Sequence, residues 1–309
     1  LAISKILDRF TRHQEKTVDA RSEYNFAMQN SPFACATARH RTFDVGKVTL
    51  HALEWGEAAR PGLCLLHGGA AHAHWFDRVA GAFVDRFHVV ALDQRGHGES
   101  GWPAPPAYAT EDFVGDLLGV FDLLGWERTI LAGHSMGGHN SMAFSAWHPE
   151  RVRGLAVLDS RPAIPTERLS SLRARGQQRA RNPYPTREAA AAAFRLVPRE
   201  TIADPVLLHH LGEVGVTERD GGWFYRFDPD ANRLRGPADC WPLLSKITAP
   251  TLYIRAELSP NLPPEHIARI RELVPHAEVV EVPGSYHHVT LDAPDVVVSA
   301  LDRFLRSLG

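Results

Sequence analysis

One stretch constrains the fold more than any other. Thr129-Ile130-Leu131-Ala132 is an apolar, partly β-branched run that reads as a buried strand, and Gly133-His134-Ser135-Met136-Gly137-Gly138 follows it directly. A helix-compatible run, His139 to Trp147, leads out. A chain that passes from strand to helix so abruptly makes a sharp turn, and side chains beside Ser135 would collide there, which accounts for Gly133 and Gly137. The turn lifts the Ser135 hydroxyl clear of the backbone. It also sets Ser135 at a helix start, where unpaired N–H groups and the helix dipole favour developing negative charge. The bland reading is a tight turn with a bystander serine. The strand before it, the helix after it and the third glycine, Gly138, favour a nucleophile.

The rest of the chain supplies a setting for that turn. Leu63-Cys64-Leu65-Leu66 is an apolar run ending in His67-Gly68-Gly69-Ala70, and Phe87 to Leu92 ends in Asp93-Gln94-Arg95-Gly96-His97-Gly98-Glu99-Ser100. Between them and the Ser135 turn, Phe113, Leu117, Val120, Phe121 and Leu124 share one helical face, with Thr110 as the expected N-cap and Gly125 as the stop. Leu155 to Leu158 is a further strand, with Asp159 at its end. Strands alternating with helices predict a mostly parallel sheet flanked by helices. Ligands bind such sheets outside the carboxyl ends of the strands. His67-Gly68-Gly69, Asp93, Ser135 and Asp159 all fall on that rim.

Residues 2–16 place Ile3, Ile6, Leu7 and Phe10 at helical spacing, which predicts an amphipathic helix packed on the domain or on a partner subunit, as in a homodimer. Residues 17–45 read as irregular. From Arg161 to about Pro242 the alternation breaks into helical fragments with no clear strand, expected to form an inserted helical cap. Nine arginines stand against two glutamates between Arg161 and Arg199, although the whole chain carries only −2. That excess would attract an anionic substrate, or it is a solvated face; the solvated face is the default. The sheet resumes at Thr251 to Ile254 and Glu278 to Val282, with helices over 263–274 and 294–308. The expected divisions are therefore 1–45 (extension), 46–160 (first part of the core), 161–242 (cap) and 243–309 (second part of the core).

The near-neutral balance points to neither nucleic acid nor an anionic membrane. No apolar run is long enough to span a bilayer. Three dispersed cysteines, Cys35, Cys64 and Cys240, fit a reducing compartment. No apolar segment after Lys5 resembles a signal peptide, so a cytoplasmic location is expected. His67, His72 and His74 lack a carboxylate or cysteine in the sequence to complete a metal site, so no metal and no cofactor are expected.

With these residues placed, the chain resembles the α/β-hydrolase superfamily from about residue 48 to 309, outside the cap. His67-Gly68-Gly69 is similar to its oxyanion loop, Asp93 to Ser100 to its D-x-R-G-x-G-x-S turn, and Gly133 to Gly138 to its nucleophile elbow. Gly284-Ser285-Tyr286-His287 followed by Leu291-Asp292-Ala293-Pro294 is similar to its histidine loop. The resemblance implies Ser135 as nucleophile and His287, rather than His288, as base. It places the acid on the loop after Thr251 to Ile254, but Ser259 stands where an aspartate is expected. Asp159, 24 residues after Ser135, is the preferred acid and Glu257 the alternative. Backbone N–H groups of Gly69 and Met136 would form the oxyanion hole. Ala70, His72, Trp75 and His134 are candidate substrate contacts, and Asp93, Arg95 and His97 a structural turn.

The expected activity is hydrolysis of a carboxylic ester, lactone or thioester of a small-molecule substrate through an acyl-serine. The same residues could cleave a C–C bond in a diketone, an amide or a peptide. A different class, a ligand receptor with little turnover, also fits the fold.

Overall fold

The interior strands are apolar at nearly every position because both faces of the sheet are covered, as parallel strands require. A computed structural model describes residues 37–179 and 183–309, without the side chains of 175–179. The helix expected over 2–16 lies outside the described residues. The strands are β1 (Arg39–Asp44), β2 (Thr49–Trp55), β3 (Gly62–Leu66), β4 (His88–Leu92), β5 (Thr129–His134), β6 (Val152–Leu158), β7 (Val216–Arg219), β8 (Gly222–Tyr225), β9 (Thr251–Ala256) and β10 (Ala277–Val282). The α-helices are α1 (Asp77–Ala80), α2 (Thr110–Leu124), α3 (Met136–Trp147), α4 (Thr166–Arg179), α5 (Arg187–Ala192), α6 (Pro205–Val214), α7 (Pro229–Arg233), α8 (Pro264–Leu273), α9 (Val289–Asp292) and α10 (Pro294–Ser307).

Eight strands form one sheet in the order β1-β2-β4-β3-β5-β6-β9-β10. β2 runs antiparallel to β1 and β4, and every other pair in it is parallel. Successive side chains of a strand point to opposite faces, and the core divides accordingly. Leu63 and Leu65 of β3 join Val89 of β4 and Ile130 of β5 in a cluster with Val297, Leu301 and Phe304 of α10. Cys64 and Leu66 join Val90 and Leu131 in the opposite cluster, with Leu117 and Phe121 of α2, Phe144 of α3 and Ile270 of α8. Each fully buried leucine or isoleucine in these layers contributes about 1.5–3 kcal/mol relative to an exposed one. The mostly parallel sheet flanked by helices, expected from the alternation, is the observed fold.

Three local expectations are corrected. Residues 39–44, inside the stretch read as irregular and assigned to an N-terminal extension, form edge strand β1 and pair with β2. Arg39, His40 and Arg41 lie on an exposed edge, so no apolar run marks the strand. The segment between β6 and β9 is not purely helical, because β7 and β8 pair as an antiparallel hairpin. Its turn is Asp220-Gly221, both at positive φ (50° and 74°), the dipeptide and geometry of a two-residue hairpin turn. Thr110 is the first residue of α2 rather than its cap: its Oγ1 accepts from the Ala238 N–H at 2.9 Å, and the Asp112 carboxylate accepts from the N–H of Ala109, the N-cap. Gly125 does end α2 in the left-handed conformation.

Candidate active site

The turn at Ser135 is as tight as its sequence implies. A Cβ on Gly133 would lie 2.4 Å from backbone atoms of Gly137, and one on Gly137 would lie 2.2 Å from the Leu66 carbonyl oxygen. Ser135 itself is held at φ 51°, a strained value for a residue with a side chain. The Ser135 N–H donates to the Leu158 carbonyl, and the Ser135 carbonyl accepts from the His139 N–H and from the Ser160 hydroxyl. The turn is thus anchored to β6 and α3, and the hydroxyl points away from both.

The loop after β10 brings His287 over this hydroxyl. Its Nε2 is 3.0 Å from Ser135 Oγ, and its Nδ1 is 2.7 Å from Asp159 Oδ2. Nδ1–H donates to the carboxylate, which leaves Nε2 as the acceptor facing the serine. Asn261 packs its side-chain amide on the Nδ1 side of the ring and accepts from Arg161. His134, a candidate substrate contact, is instead buried under the loop, where its Nε2–H donates to the His287 carbonyl at 2.8 Å. It is not among the residues that line the cavity; its ring packs behind those of His287 and His288, at 4.8 Å and 5.9 Å between ring centres.

Asp159 sits at the end of β6, fully buried and at φ 43°. Its carboxylate accepts from the Ser259 hydroxyl at 2.5 Å and from the Ala256 N–H at 3.2 Å, besides His287. Ser259, standing where the resemblance implies an acid, therefore serves as a donor to an acid on the neighbouring strand. Glu257 is placed otherwise. It is exposed, and its carboxylate accepts from the Gly284 N–H at 2.7 Å, fastening the histidine loop from outside. The structure brings Asp159 to His287 and does not bring Glu257 there.

Burial pushes both partners away from charge. It raises the Asp159 carboxyl to about 6, against the donors from Ser259 and Ala256. It lowers His287 to about 3, with Arg168 and Arg161 adding to the effect. At neutral pH His287 is a neutral base and Asp159 an ionised acceptor.

The amides of Gly69 and Met136 border the same space. Among the described residues neither N–H donates to a protein acceptor. Gly137, next in α3, donates instead to the His67 carbonyl and ties the elbow to the loop after β3. His67 is fully used in holding that loop: Nδ1–H donates to the Gly68 carbonyl and Nε2 accepts from the Gln94 N–H. Asp93 accepts from the N–H groups of Ala73 and Glu99 and from His51, and Arg95 grips Asp116 with two bonds of 2.6 Å. The Asp93 to Ser100 turn thus braces the loop beneath the elbow.

Above lies a cavity of about 1070 Å³, walled by the strand ends and by the segment between β6 and β9. Ala70, His72 and Trp75 line it, as does Met136. His72 donates to the Leu211 carbonyl at 3.3 Å and is lowered to about 3, by burial first and then by His74. His74 faces a carboxylate that sequence spacing did not reveal: Asp77 accepts from His74 at 3.0 Å and from His210 of α6 at 3.2 Å. These three residues tie α6 to the loop after β3, and their ligand atoms all lie within 4.8 Å of one another.

Sequence reasoning gives no role in the site to several residues that build it. Ser259 is read only as a departure from the expected aspartate, and Asn261 is not singled out. Asp292 accepts from the Tyr286 N–H, next to His287, and from Thr201 of the insert. Arg235, buried at the cavity wall, lay outside the arginine-rich stretch that drew attention.

A family model described as alpha/beta hydrolase fold matches residues 61–294. The chain is 31% identical over 271 residues to 2-(acetamidomethylene)succinate hydrolase of Mesorhizobium japonicum, covering 86% of this chain and 94% of that one. It is 29% identical to sn-1-specific diacylglycerol lipase ABHD11 of Mus musculus, over 81% of this chain and 82% of that one. The crystal structure of an E-2-(acetamidomethylene)succinate hydrolase superposes with a TM-score of 0.78 at 30% identity, covering 87% of this chain and 99% of the other. These relatives are hydrolases. By its sequence and its strand order, this chain belongs to the α/β-hydrolase fold family.

Proposed function

We propose that the protein is a serine hydrolase that cleaves a carboxylic ester, lactone or thioester through an acyl-Ser135 intermediate. The observation that carries this reading is the position of His287, its two ring nitrogens between Ser135 Oγ and Asp159 Oδ2. A serine hydroxyl is a weak nucleophile at neutral pH until a positioned base accepts its proton. Here Nε2 takes the Ser135 proton as Oγ bonds to the scissile carbonyl carbon. The carbonyl oxygen becomes an oxyanion between the N–H groups of Gly69 and Met136, each such donor lowering the barrier by about 2.7–4 kcal/mol. Collapse breaks the bond to the leaving alcohol or thiol, which takes the proton from Nε2. Water then gives a proton to Nε2, attacks the acyl carbon and releases the acid, and the proton returns to Ser135.

Asp159 holds the imidazole in the tautomer that faces the serine and balances its positive charge when it forms. None of these steps uses a metal or a cofactor. The segment between β6 and β9 acts as a cap that shapes the pocket. Its hold on the histidine loop supports this: the His288 Nε2–H donates to the Pro198 carbonyl at 3.0 Å.

Acid quenching during turnover of p-nitrophenyl acetate, followed by intact-protein mass measurement, tests the reading. The wild type should gain the mass of one acetyl group, and Ser135→Ala should gain none. Turnover with no acylated species at any time, and with Ser135→Ala fully active, would refute it.

A further inference from the structure

Arg235 is an unusual residue to find in a protein wall. It is 8% exposed, yet among the described residues its guanidinium makes no ion pair and no hydrogen bond. Only its main chain is tied down: its carbonyl accepts from Arg173 at 2.8 Å, and the adjacent Gly236 exchanges backbone bonds with Tyr108 and Thr110. The side chain is thereby aimed at the loop after β3. A Cβ built on Gly69 would lie 3.5 Å from Arg235 Nη1 and 4.0 Å from Met136 Sδ. The guanidinium therefore stands beside Gly69, one of the two residues whose amides are assigned to the oxyanion, and it lines the cavity together with Met136.

Its electrostatic surroundings sharpen the point. Burial lowers its pKa to about 10, the neighbouring Arg168 adds to that, and no carboxylate opposes it. Arg161 and Arg168 line the same cavity. Burying an unpaired cation is costly unless a counter-charge arrives. Arginine's planar fork matches a carboxylate with two parallel hydrogen bonds.

Resting on the serine-hydrolase reading above, we propose that Arg235 binds a carboxylate carried by the substrate's acyl group a few bonds from the scissile carbonyl. The substrates are then half-esters or half-thioesters of short dicarboxylic acids, or lactones bearing such a group. Arg161 and Arg168 supply a positive field on the same wall, and Arg235 supplies the directed contact.

The test compares p-nitrophenyl hydrogen glutarate with its neutral isostere, p-nitrophenyl valerate. Wild type should prefer the anionic ester in kcat/KM by about tenfold or more at low salt, the preference shrinking as ionic strength rises. Arg235→Met should lower the glutarate-to-valerate ratio by about tenfold or more, and Arg235→Lys, which keeps the charge but loses the fork, should lie between. Because the readout is a ratio, a general loss of activity does not move it. Calorimetric titration of the unligated protein with free glutarate should show binding that Arg235→Met weakens by a similar factor, whether or not the enzyme turns over.

An unchanged ratio in Arg235→Met, or equal wild-type rates on the two esters, would overturn the proposal. So would inorganic phosphate binding where glutarate does not. An Arg235→Met protein that fails to fold would also contradict it, since an arginine kept for a substrate costs stability in the empty site. Fluorophosphonate labelling of Ser135 in the same samples separates the two failures. Its absence in folded wild type removes the serine-hydrolase reading, while the glutarate titration still decides Arg235.

Discussion

The rim of strand ends and the segment above it are built by different physics. On the rim, position follows from backbone. Gly133 and Gly137 allow β5, α3 and the loop after β3 to touch, and Ser135, Asp159 and Ala70 each hold a positive φ within a few residues of a strand end. In the segment between β6 and β9, backbone bonds such as those of Gly236 with Tyr108 and Thr110 are joined by contacts made through side chains. His210 reaches Asp77, His288 reaches the Pro198 carbonyl, and Arg219 stacks its guanidinium 4.2 Å from the ring centre of Trp102. Groups held by backbone sterics have one place to be. Groups held by polar side chains can be retuned one residue at a time, which is how one fold serves many substrates.

That contrast can be broken most forcefully at the rim. Ser135→Ala or His287→Ala should reduce kcat/KM for an activated ester by about 10⁴-fold or more, because nucleophile and base act as a unit. Retention of a tenth of the wild-type activity by either variant would show that the rim is not the reacting centre.

Next in size is the choice of carboxylate. Asp159→Asn should lower kcat by about 10⁴-fold through the wrong imidazole tautomer. Glu257→Gln should change it less than about threefold, since a surface carboxylate that only tethers a loop contributes little. The reverse pattern in steady-state assays would move the acid to the loop after β9.

A smaller effect links the two regions. The Asp159–His287 pair takes up a proton as pH falls through about 6, so the acid limb of kcat/KM should lie there. Burial first, and then Arg168 on the segment above, hold His287 down. Removing that positive charge in Arg168→Gln favours the protonated imidazole, so the limb should move to higher pH. A limb that stays in place would mean that the segment does not tune the base.

The smallest effect belongs to the segment alone. Asp77→Asn should loosen α6 and lower the thermal midpoint by a few degrees. The pH dependence has a definite sign. Burial works against a charged His74, but Asp77 outweighs it and holds its pKa above the usual value. Asp77 is held well below the usual carboxylate range despite its burial, by His74 and His210. The contact is therefore complete between about pH 4 and 6.5. It weakens as pH rises through the raised value of His74, and again as pH falls through the lowered value of Asp77. A midpoint difference between wild type and Asp77→Asn that is flat from pH 5 to 9 would argue against it.

The same division explains what could be read from the residues alone. The sheet, the elbow at Ser135 and the loop at His67 were legible because glycine spacing and apolar periodicity encode them locally, while the loop at His287 was read from its resemblance to the family's histidine loop. β1 was not, since an edge strand with Arg39, His40 and Arg41 carries no such period. The β7–β8 hairpin had its signal in Asp220-Gly221, but its strands of four residues were hidden among helical fragments. The position of Asp159 was readable from its offset, whereas its support by Ser259 was not. That contact joins residues 100 apart in sequence and depends on how β6 and β9 pair. His134 misled because it stands inside the motif; its neighbour in space, the His287 carbonyl, is 153 residues away. Arg235 carries no local signature at all, because its significance is the carboxylate it lacks.

The claim beneath all of this is that His287 activates the hydroxyl at the glycine-tight turn. Peptide mapping after treatment of the folded protein with a fluorophosphonate tests it directly. The account predicts a single adduct on the peptide containing Ser135, formed in wild type and Glu257→Gln and lost in His287→Ala. No adduct on folded wild type, or one carried by a different residue, would contradict it.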